Sequence, residues 1–571
     1  MVSCGYLCAA ILTAGGLVLA GCGTAGLKLK SSGPAVDSEK ATRTEAGTPG
    51  AVVPEKLAKA HAHYAAGVIH ELNDEVALAL EEFSKAALAD LDDESLVLNV
   101  SGRFLSRKQP ERALALLTNA TVRPSASGAL FARLGLVYLR LGKTDLAIEA
   151  NRVAIKKQPH LLEGYQNLFL ACLQTKRLDE AFKVLDQASK QADTDAEFLI
   201  DLAELYASLA RQGPDQKVAT NAEALAALNR AAKLKPDDLV LRLRLADGFN
   251  ALGATTNAAP IYLEVLKQQG VSGELPVPPN VVRAKLAEIY LLGQDRAGAA
   301  EQLEGIVRDD PTNPLGYFYL GSIAFDQKQM TNAVEYFSKA VLLNPDFEQA
   351  YYDLASAQIN LNRTVAALAT LQQARGRFPE NFIILYLKGL THSRRKEYVE
   401  AIASFTAAEV FARVAEPKRL NEFFYFQLGS AYERSGNLPE AEKCFEKAIE
   451  LKPDFAVALN YLGYMWAERG ANLDRARAMI ERALKVEPKN AAFLDSLGWV
   501  FFKLHQPEAA LEQLLKAVDY VEEPDATIYD HLGDVHAALN QMEKAREAWS
   551  QSLKLEPNEQ VQKKLDGLTV K

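Results

Sequence analysis

The chain has 571 residues, with 64 basic and 73 acidic side chains that give a formal charge of -9. This length is too great for one compact core. The basic residues are interleaved with acidic ones instead of being clustered, which argues against a nucleic-acid partner. Beyond the N-terminal segment, Cys172 and Cys444 are isolated, so there is neither a disulfide framework nor a metal-ligand spacing.

The first predicted element is a signal peptide over residues 1–21. Residues 9–20 are apolar or small, a run too short to span a bilayer but typical of a signal-peptide core. The following lipobox-like stretch, Leu19-Ala20-Gly21-Cys22, resembles that of bacterial lipoproteins, in which the cysteine is acylated and becomes the mature N-terminus. The resemblance implies a lipid anchor at Cys22. Gly23 stands after it instead of the Asp associated with inner-membrane retention, which favours the outer membrane.

Residues 22–59 are predicted to be a lipidated N-terminus followed by a flexible tether. Residues 23–56 contain no aromatic side chain and are rich in Gly, Ala, Ser, Thr and Pro, a composition typical of a coil. A coil of about 34 residues spans roughly 30 Å. The tether would therefore hold the rest of the chain away from the bilayer.

From residue 60 onward the strongest signal is a period of about 34 residues. Residues 422–455 read EFFYFQLGSAYERSGNLPEAEKCFEKAIELKPDF. Their spacing of small, aromatic and proline positions resembles the tetratricopeptide repeat (TPR) family, whose unit is a pair of antiparallel helices. Small Gly429 and Ala441 would let the two helices approach closely, while Tyr432 and Phe445 would fill the space between them.

The same template predicts about fourteen repeats, so the expected fold class is all-α: a right-handed α-solenoid of TPR helix-turn-helix units. The repeats begin near residues 60, 94, 128, 162, 196, 239, 280, 314, 348, 382, 422, 456, 491 and 526. Spacers at 273–279 and 416–421 divide them into blocks at 60–272, 280–415 and 422–559, and residues 560–571 are predicted to be a C-terminal cap.

The last block also resembles a bacterial TPR subfamily of envelope proteins, through residues 458–464 and 493–499. With the lipobox, this resemblance implies a membrane-anchored scaffold at the outer membrane, facing the periplasm. Its partners would be envelope proteins or their peptide segments, during assembly or maintenance of outer-membrane, secretion or pilus machinery. Three alternatives remain open: a scaffold of a polysaccharide-export complex, similar to the TPR lipoprotein of alginate export, a glycan-binding envelope protein, and an enzyme whose site carries no recognised motif.

Catalytic motifs are absent from the sequence. There is no P-loop, dinucleotide-binding glycine pattern, His-Glu-x-x-His zinc motif or Gly-x-Ser-x-Gly elbow. Neither His61, His63 and His70 nor the pair His531 and His536 has the spacing that converges on one ion. We therefore expect no enzyme activity, no cofactor and no metal site.

A candidate binding groove follows from the family resemblance, because five positions on the first helix of each TPR line the concave surface. In repeats eight to thirteen these positions are largely aromatic: Phe318, Phe325, Tyr352, Tyr386, Phe423, Phe426, Tyr464, Trp499 and Phe502. An aromatic trough suits extended or helical peptide segments. The alternative is that the rings pack between helices, which explains Trp499 least well.

Repeats five to seven differ, because their groove positions are acidic: Glu197, Glu204, Asp247 and Glu288. This stretch is predicted to prefer basic or polar ligands.

Overall fold

The computed structural model of the protein describes residues 55–212, 217–272 and 277–568. Over these ranges the secondary structure consists of 29 α-helices and a short 3-10 helix, with no strand. The predicted signal peptide, the lipobox residues Leu19, Ala20 and Gly21, the anchor Cys22 and most of the tether lie outside the described residues.

Fourteen consecutive helix pairs account for nearly all of the described chain. The pairs are α1 (Glu55–Leu72) and α2 (Val76–Ala89); α3 (Glu94–Ser106) and α4 (Pro110–Thr121); α5 (Gly128–Arg140) and α6 (Thr144–Lys157); α7 (Leu162–Gln174) and α8 (Leu178–Ser189); α9 (Ala196–Ala210) and α10 (Lys217–Lys233); α11 (Leu239–Ala251) and α12 (Thr255–Ser272); α13 (Pro279–Leu292) and α14 (Arg296–Asp309); α15 (Pro314–Asp326) and α16 (Met330–Leu343); α17 (Glu348–Asn360) and α18 (Thr364–Arg377); α19 (Phe382–Arg394) and α20 (Tyr398–Ala415); α21 (Glu422–Arg434) and α22 (Leu438–Leu451); α23 (Ala456–Glu468) and α24 (Leu473–Val486); α25 (Ala491–Lys503) and α26 (Pro507–Tyr520); α27 (Ala526–Ala538) and α28 (Met542–Leu555). A last helix, α29 (Glu559–Gly567), follows them, and the 3-10 helix Pro417–Arg419 separates the tenth pair from the eleventh.

The pairs confirm the predicted all-α TPR solenoid over the described residues. The chain divides into two compact units after Gln302, a position inside α14; below, residues 55–302 are the N-terminal unit and residues 303–568 the C-terminal unit. The division into three blocks of repeats stays a prediction.

Close approach within several of the pairs depends on a glycine in the first helix. A Cβ added at Gly429 would lie 2.8 Å from the Phe445 ring, and one at Gly321 would lie 2.7 Å from Phe337. These distances leave no room for a side chain, and both phenylalanines are buried. The glycine therefore sets how near the second helix can lie, as the sequence indicated.

Helix ends are defined by polar caps and tight turns. Asn381 and Asn421 each accept a hydrogen bond from the backbone N–H three residues on, at 3.1 Å and 3.0 Å, and so begin α19 and α21. The turn after a first helix uses a left-handed residue, which is Gly436 (φ 82°) after α21 but Lys328 (φ 60°) after α15.

Candidate functional site

The nine predicted groove residues lie on the first helices of six neighbouring repeats in the C-terminal unit. Five of them are buried, at 4–8% exposure: Phe325, Tyr352, Tyr386, Phe426 and Trp499. The other four are partly buried: Phe318, Phe423, Tyr464 and Phe502. Of the nine, only these four rings are exposed enough to contact a partner, so the predicted aromatic groove is reduced to them.

Packing between helices accounts for the buried rings. Phe426 lies 5.8 Å from Phe445 of its own repeat and 5.1 Å from Tyr461 of the next repeat, centroid to centroid. Tyr386 lies 5.7 Å from Phe405 in the same way. Such tilted and edge-on contacts each stabilise an aromatic pair by about 0.5–1.5 kcal/mol beyond area burial.

Tyr352 also joins two repeats through polar contacts. Its hydroxyl donates to Glu348, and Asn381 Nδ2 donates to Tyr352 Oη at 2.7 Å and to Glu348 Oε1 at 3.0 Å. Burial, and then the hydrogen bond to Glu348, raise the pKa of Tyr352, so the phenol stays neutral. Because Asn381 also caps α19, this contact fixes where the tenth repeat begins.

The most elaborate contact set surrounds Trp499 on α25. Its ring stacks on His531 of the next repeat, with centroids 4.0 Å apart and planes 16° apart. It also stacks on Phe502 at 5.0 Å, and its indole N–H donates to Glu468 of the preceding repeat. Trp499 therefore ties three consecutive repeats together, which is the packing role that the sequence explained least well.

His531 and Asp495 form a buried polar pair beneath that ring. His531 Nδ1 lies 2.9 Å from Asp495 Oδ1, and the two residues are 5% and 6% exposed. Burial alone would lower the pKa of His531, but contact with Asp495, with help from Asp530 and Asp534, outweighs it and raises the pKa. The imidazolium thus compensates the buried Asp495 carboxylate.

Tyr464 is the partly buried phenol of this face. Burial and the nearby carboxylates of Glu468 and Asp495 raise the pKa of Tyr464, so its hydroxyl remains a hydrogen-bond donor. Glu468 itself is exposed. Tyr464 and Glu468 together offer a partner one hydrogen-bond donor, one hydrogen-bond acceptor and the edge of an aromatic ring.

The last helix closes this end of the array through one lysine. Lys564 Nζ on α29 lies 2.8 Å from Asp530 Oδ1 and 2.7 Å from Asp534 Oδ2. Burial lowers the pKa of Lys564, but the bonds to both aspartates outweigh that effect and raise it. Val561 of the same helix is 1% exposed and packs with Trp549.

From the sequence, His531 was weighed only as a metal ligand, and neither Glu468 nor Asp495 was predicted to have a role. His536, its suggested companion, instead contacts Gln541 at 2.8 Å. The described residues contain no group of three or more His, Cys, Asp or Glu side chains placed to hold a metal ion. The sequence did contain a pattern that could have indicated this contact. His531 and Asp495 are 36 residues apart, close to one repeat period, so they lie at similar positions in neighbouring repeats.

The acidic face of repeats five to seven is less acidic than the sequence suggested. Arg244 pairs with Asp201 and, at 2.7 Å, with Glu204, while Lys285 Nζ lies 2.5 Å from Asp247. Each base comes from the repeat after the acid it meets. Two of the four predicted acidic groove positions, Glu204 and Asp247, therefore have a basic partner in the next repeat, although Arg244 shares its single charge between Asp201 and Glu204.

The two isolated thiols are buried, and burial raises the pKa of Cys444 to about 12. A thiol with so high a pKa is a poor nucleophile. Among the described helices, none combines the length and apolar character that crossing a membrane requires.

Sequence models of the tetratricopeptide repeat family match residues 103–161, 285–348, 324–389, 423–455, 470–519 and 496–559. These matches occur in both compact units and fall on helix pairs.

Two curated proteins are similar in sequence. The human protein O-mannosyl-transferase TMTC3 is 25% identical over 390 residues, which are 65% of this chain and 40% of TMTC3. Superkiller protein 3 of Schizosaccharomyces pombe is 24% identical over 313 residues, which are 52% of this chain and 20% of that protein. The matched region thus spans less than half the length of either relative.

Solved structures give looser matches. The Cut9-Hcn1 hetero-tetramer of APC/C covers 89% of this chain and 96% of its own, at 14% identity and a TM-score of 0.38. The MamA protein covers 30% of this chain and 92% of its own, at 26% identity and a TM-score of 0.28.

Proposed function

Since the chain belongs to the tetratricopeptide repeat family, we propose that it is a scaffold that holds other proteins by the first-helix face of its repeats and catalyses no reaction. The observation that carries this proposal is a set of open side chains on one face of repeats eleven to thirteen. These are Phe423, Tyr464, Glu468 and Phe502.

The ligand that best fits this face is a peptide segment with apolar anchors. Phe423 and Phe502 offer ring edges, the neutral Tyr464 hydroxyl offers a donor, and exposed Glu468 offers an acceptor. Tyrosine and phenylalanine bind with little loss of side-chain entropy, which favours them at protein interfaces. The buried rings beneath them hold the repeats in register and do not contact the partner.

A scaffold role for the shared repeats explains the similarity to TMTC3 and requires no mannosyl-transfer activity in this chain. TMTC3 is named an O-mannosyl-transferase, and the match covers 40% of it. The described residues of this chain are taken up by helix pairs, which present a surface for binding. The function assigned to the repeats is therefore association only.

We also propose that the scaffold is anchored to a bacterial envelope through Cys22. The support for this step is the lipobox sequence of residues 19–22 together with the coil-forming residues that follow. Replacing Cys22 with Ala should release the chain from membranes, as measured by fractionation and immunoblotting. Persistence of the variant in washed membranes would contradict the anchor.

The binding face is tested by site-specific photocrosslinking. A photoreactive residue at Glu468 or Phe423 should capture a partner, whereas one at exposed Lys516, on the second helix of the thirteenth repeat, should not. Equal capture from Lys516, or no capture from Glu468 and Phe423, would overturn the proposed face. Trp499→Ala is a poor test, because it removes the stack that joins three repeats.

A further inference from the structure

The outward side of α20 lacks charge along most of its length. Between Glu400 and Arg413 its exposed side chains are apolar or small: Ala403, Thr406, Ala407 and Val410. Val399 and Val414, also exposed, flank those two charged residues. Three of these uncharged side chains are large aliphatics left strongly exposed, with Val399 at 73%, Val410 at 64% and Val414 at 88%. With 18 residues, α20 is also longer than its neighbours α18 and α22, which have 14 residues each.

The neighbouring helix α18 continues this uncharged surface. Its outward arc carries Val365, Ala369, Gln372 and Gly376, and Val365 is 71% exposed. The exposed charges of α18, Arg375 and Arg377, are confined to its last turn, where they pair with Glu380 and Asp346. By contrast, the outward sides of α22 and α24 are charged, with exposed Lys443 and Glu446 on one and Arg475 and Arg482 on the other. We define the outer patch as the uncharged exposed residues of α18 and α20. An exposed apolar patch of this kind marks an interaction surface.

We propose that the outer patch is a self-association surface on which a second copy of the chain docks, with α20 antiparallel to its counterpart. An uncharged face is complementary to itself, because two copies meet without burying an unpaired charge. A strongly charged partner would gain nothing from this face.

The charges at the two ends of α20 select the antiparallel arrangement. Glu400 and Arg413 lie symmetrically about the midpoint between Thr406 and Ala407. An antiparallel two-fold contact centred there brings Glu400 of one copy to the level of Arg413 of the other, so each end holds one acid and one base. A parallel contact would instead place like charges together at both ends. Arg413 is 67% exposed and uses one guanidinium nitrogen to bind Glu409, which leaves other donors available.

The helix on the other side of α20 obeys the same symmetry. Ala441 occupies the same repeat position in α22 as Ala401 does in α20. The point of α22 that corresponds to the midpoint of α20 therefore lies between Glu446 and Lys447. About that point Lys443 is the counterpart of Glu450, and Glu446 is the counterpart of Lys447. The two-fold contact that suits α20 therefore also sets bases against acids along α22.

The available area indicates a weak, reversible dimer. Three neighbouring helices about 10 Å apart, each contributing about 20 Å of length, give a contact of roughly 600 Å² per copy. Stable complexes bury about 800 Å² per partner, so we expect dissociation in the micromolar range.

The test is sedimentation equilibrium of the full chain in a Cys22→Ala background, which removes association through acyl groups. The chain should show a monomer–dimer equilibrium. Ala407→Glu should raise the dissociation constant at least about tenfold, because it buries an unpaired charge at the centre of the contact. The matched control Leu342→Glu changes a residue that is 78% exposed and lies outside the outer patch, and it should leave the constant unchanged.

A charge swap tests the antiparallel arrangement separately. Glu400→Arg should weaken the dimer, and adding Arg413→Glu to the same chain should restore it to within about threefold of the parent. Circular dichroism of each variant checks that the helices remain folded. The proposal is overturned if the chain stays monomeric up to about 100 µM, if Ala407→Glu and Leu342→Glu behave alike, or if the double swap fails to restore association.

Discussion

Two single residues, Asp353 and His531, make the stability of the protein depend on pH. Asp353 on α17 accepts a hydrogen bond from Gln349 Nε2 at 3.0 Å, and burial raises its pKa from 3.8 to about 7. His531 is the opposite case, since an acid stabilises its charged form. Both groups bind more protons in the folded than in the unfolded chain, so both make stability fall as pH rises.

Asp353→Asn should remove the stability loss that occurs between about pH 4 and pH 7. In this interval the unfolded carboxyl is ionised while the folded one still holds its proton, so the parent chain loses stability and the amide variant does not. At pH 8 the variant should be more stable by on the order of 2 kcal/mol. Chemical denaturation at pH 4 and pH 8 measures the difference, and equal gains at both values would contradict it.

His531→Gln should reduce the pH dependence of the free energy of unfolding in a different pH range. The contribution of His531 is complete below its unfolded pKa of 6.5 and is lost as pH rises through its higher folded pKa. The parent should therefore lose more stability than the variant above pH 6.5. Trp499 fluorescence during denaturation follows the same region, because the two rings stack. A constant difference between the two chains across this range would show that the imidazole does not titrate there.

At the scale of helices and turns, the repeat template predicted which small and large residues meet within a pair. Gly429 and Phe445 are 16 positions apart, and the same spacing relates Gly321 to Phe337 and Gly389 to Phe405. Such contacts follow from one helix, one turn and the next helix, so a period in the sequence reveals them. The turn residues were less predictable, because glycine and lysine both occupy the left-handed position.

Gly429→Ala should destabilise the C-terminal repeats by about 1–3 kcal/mol, because the added methyl would lie 2.8 Å from Phe445. The matched control is Gly376→Ala on α18, where no atom lies within 4 Å of the added methyl. The control should stabilise the chain by about 0.5–1 kcal/mol through helix propensity. Thermal unfolding of both variants supplies the comparison, and the same sign for both would refute the packing argument.

Lys328→Gly should stabilise the turn between α15 and α16 by about 0.5–1 kcal/mol, since Lys328 has a φ of 60° that an L-residue adopts at a cost. Gly436→Ala, at a φ of 82°, should cost a similar amount. The denaturant midpoints of the two variants and the parent chain, measured under the same conditions, test both expectations. A stabilising alanine at position 436 would rule out left-handed strain as the cause.

At the scale of the whole molecule, an array of repeats is stabilised by nearest-neighbour contacts, so its ends need closing. The last helix closes the C-terminal end with Lys564, which bridges Asp530 and Asp534, and with buried Val561. A substitution that destabilises this end should therefore affect only the nearest repeats.

Lys564→Met should increase hydrogen exchange in α27 and α28, because it leaves two partly buried carboxylates without their base. Lys563→Met, at the exposed neighbouring position, is the matched control and should leave exchange unchanged. Amides of residues 55–302 should be unaffected in both variants. Faster exchange there would mean that the array unfolds as one cooperative unit.

The repeat period, the fourteen helix pairs and many of the small and large positions that meet within a pair could be predicted from the amino-acid pattern. These features are local, because every contact within a pair joins residues at a fixed and short spacing. The three-dimensional packing was needed to show that Trp499 contacts both His531 and Glu468, that Arg244 pairs with Glu204, and that four of the nine groove aromatics remain partly exposed. Those outcomes depend on side-chain direction and on partners one repeat away, and a single helix pattern encodes neither.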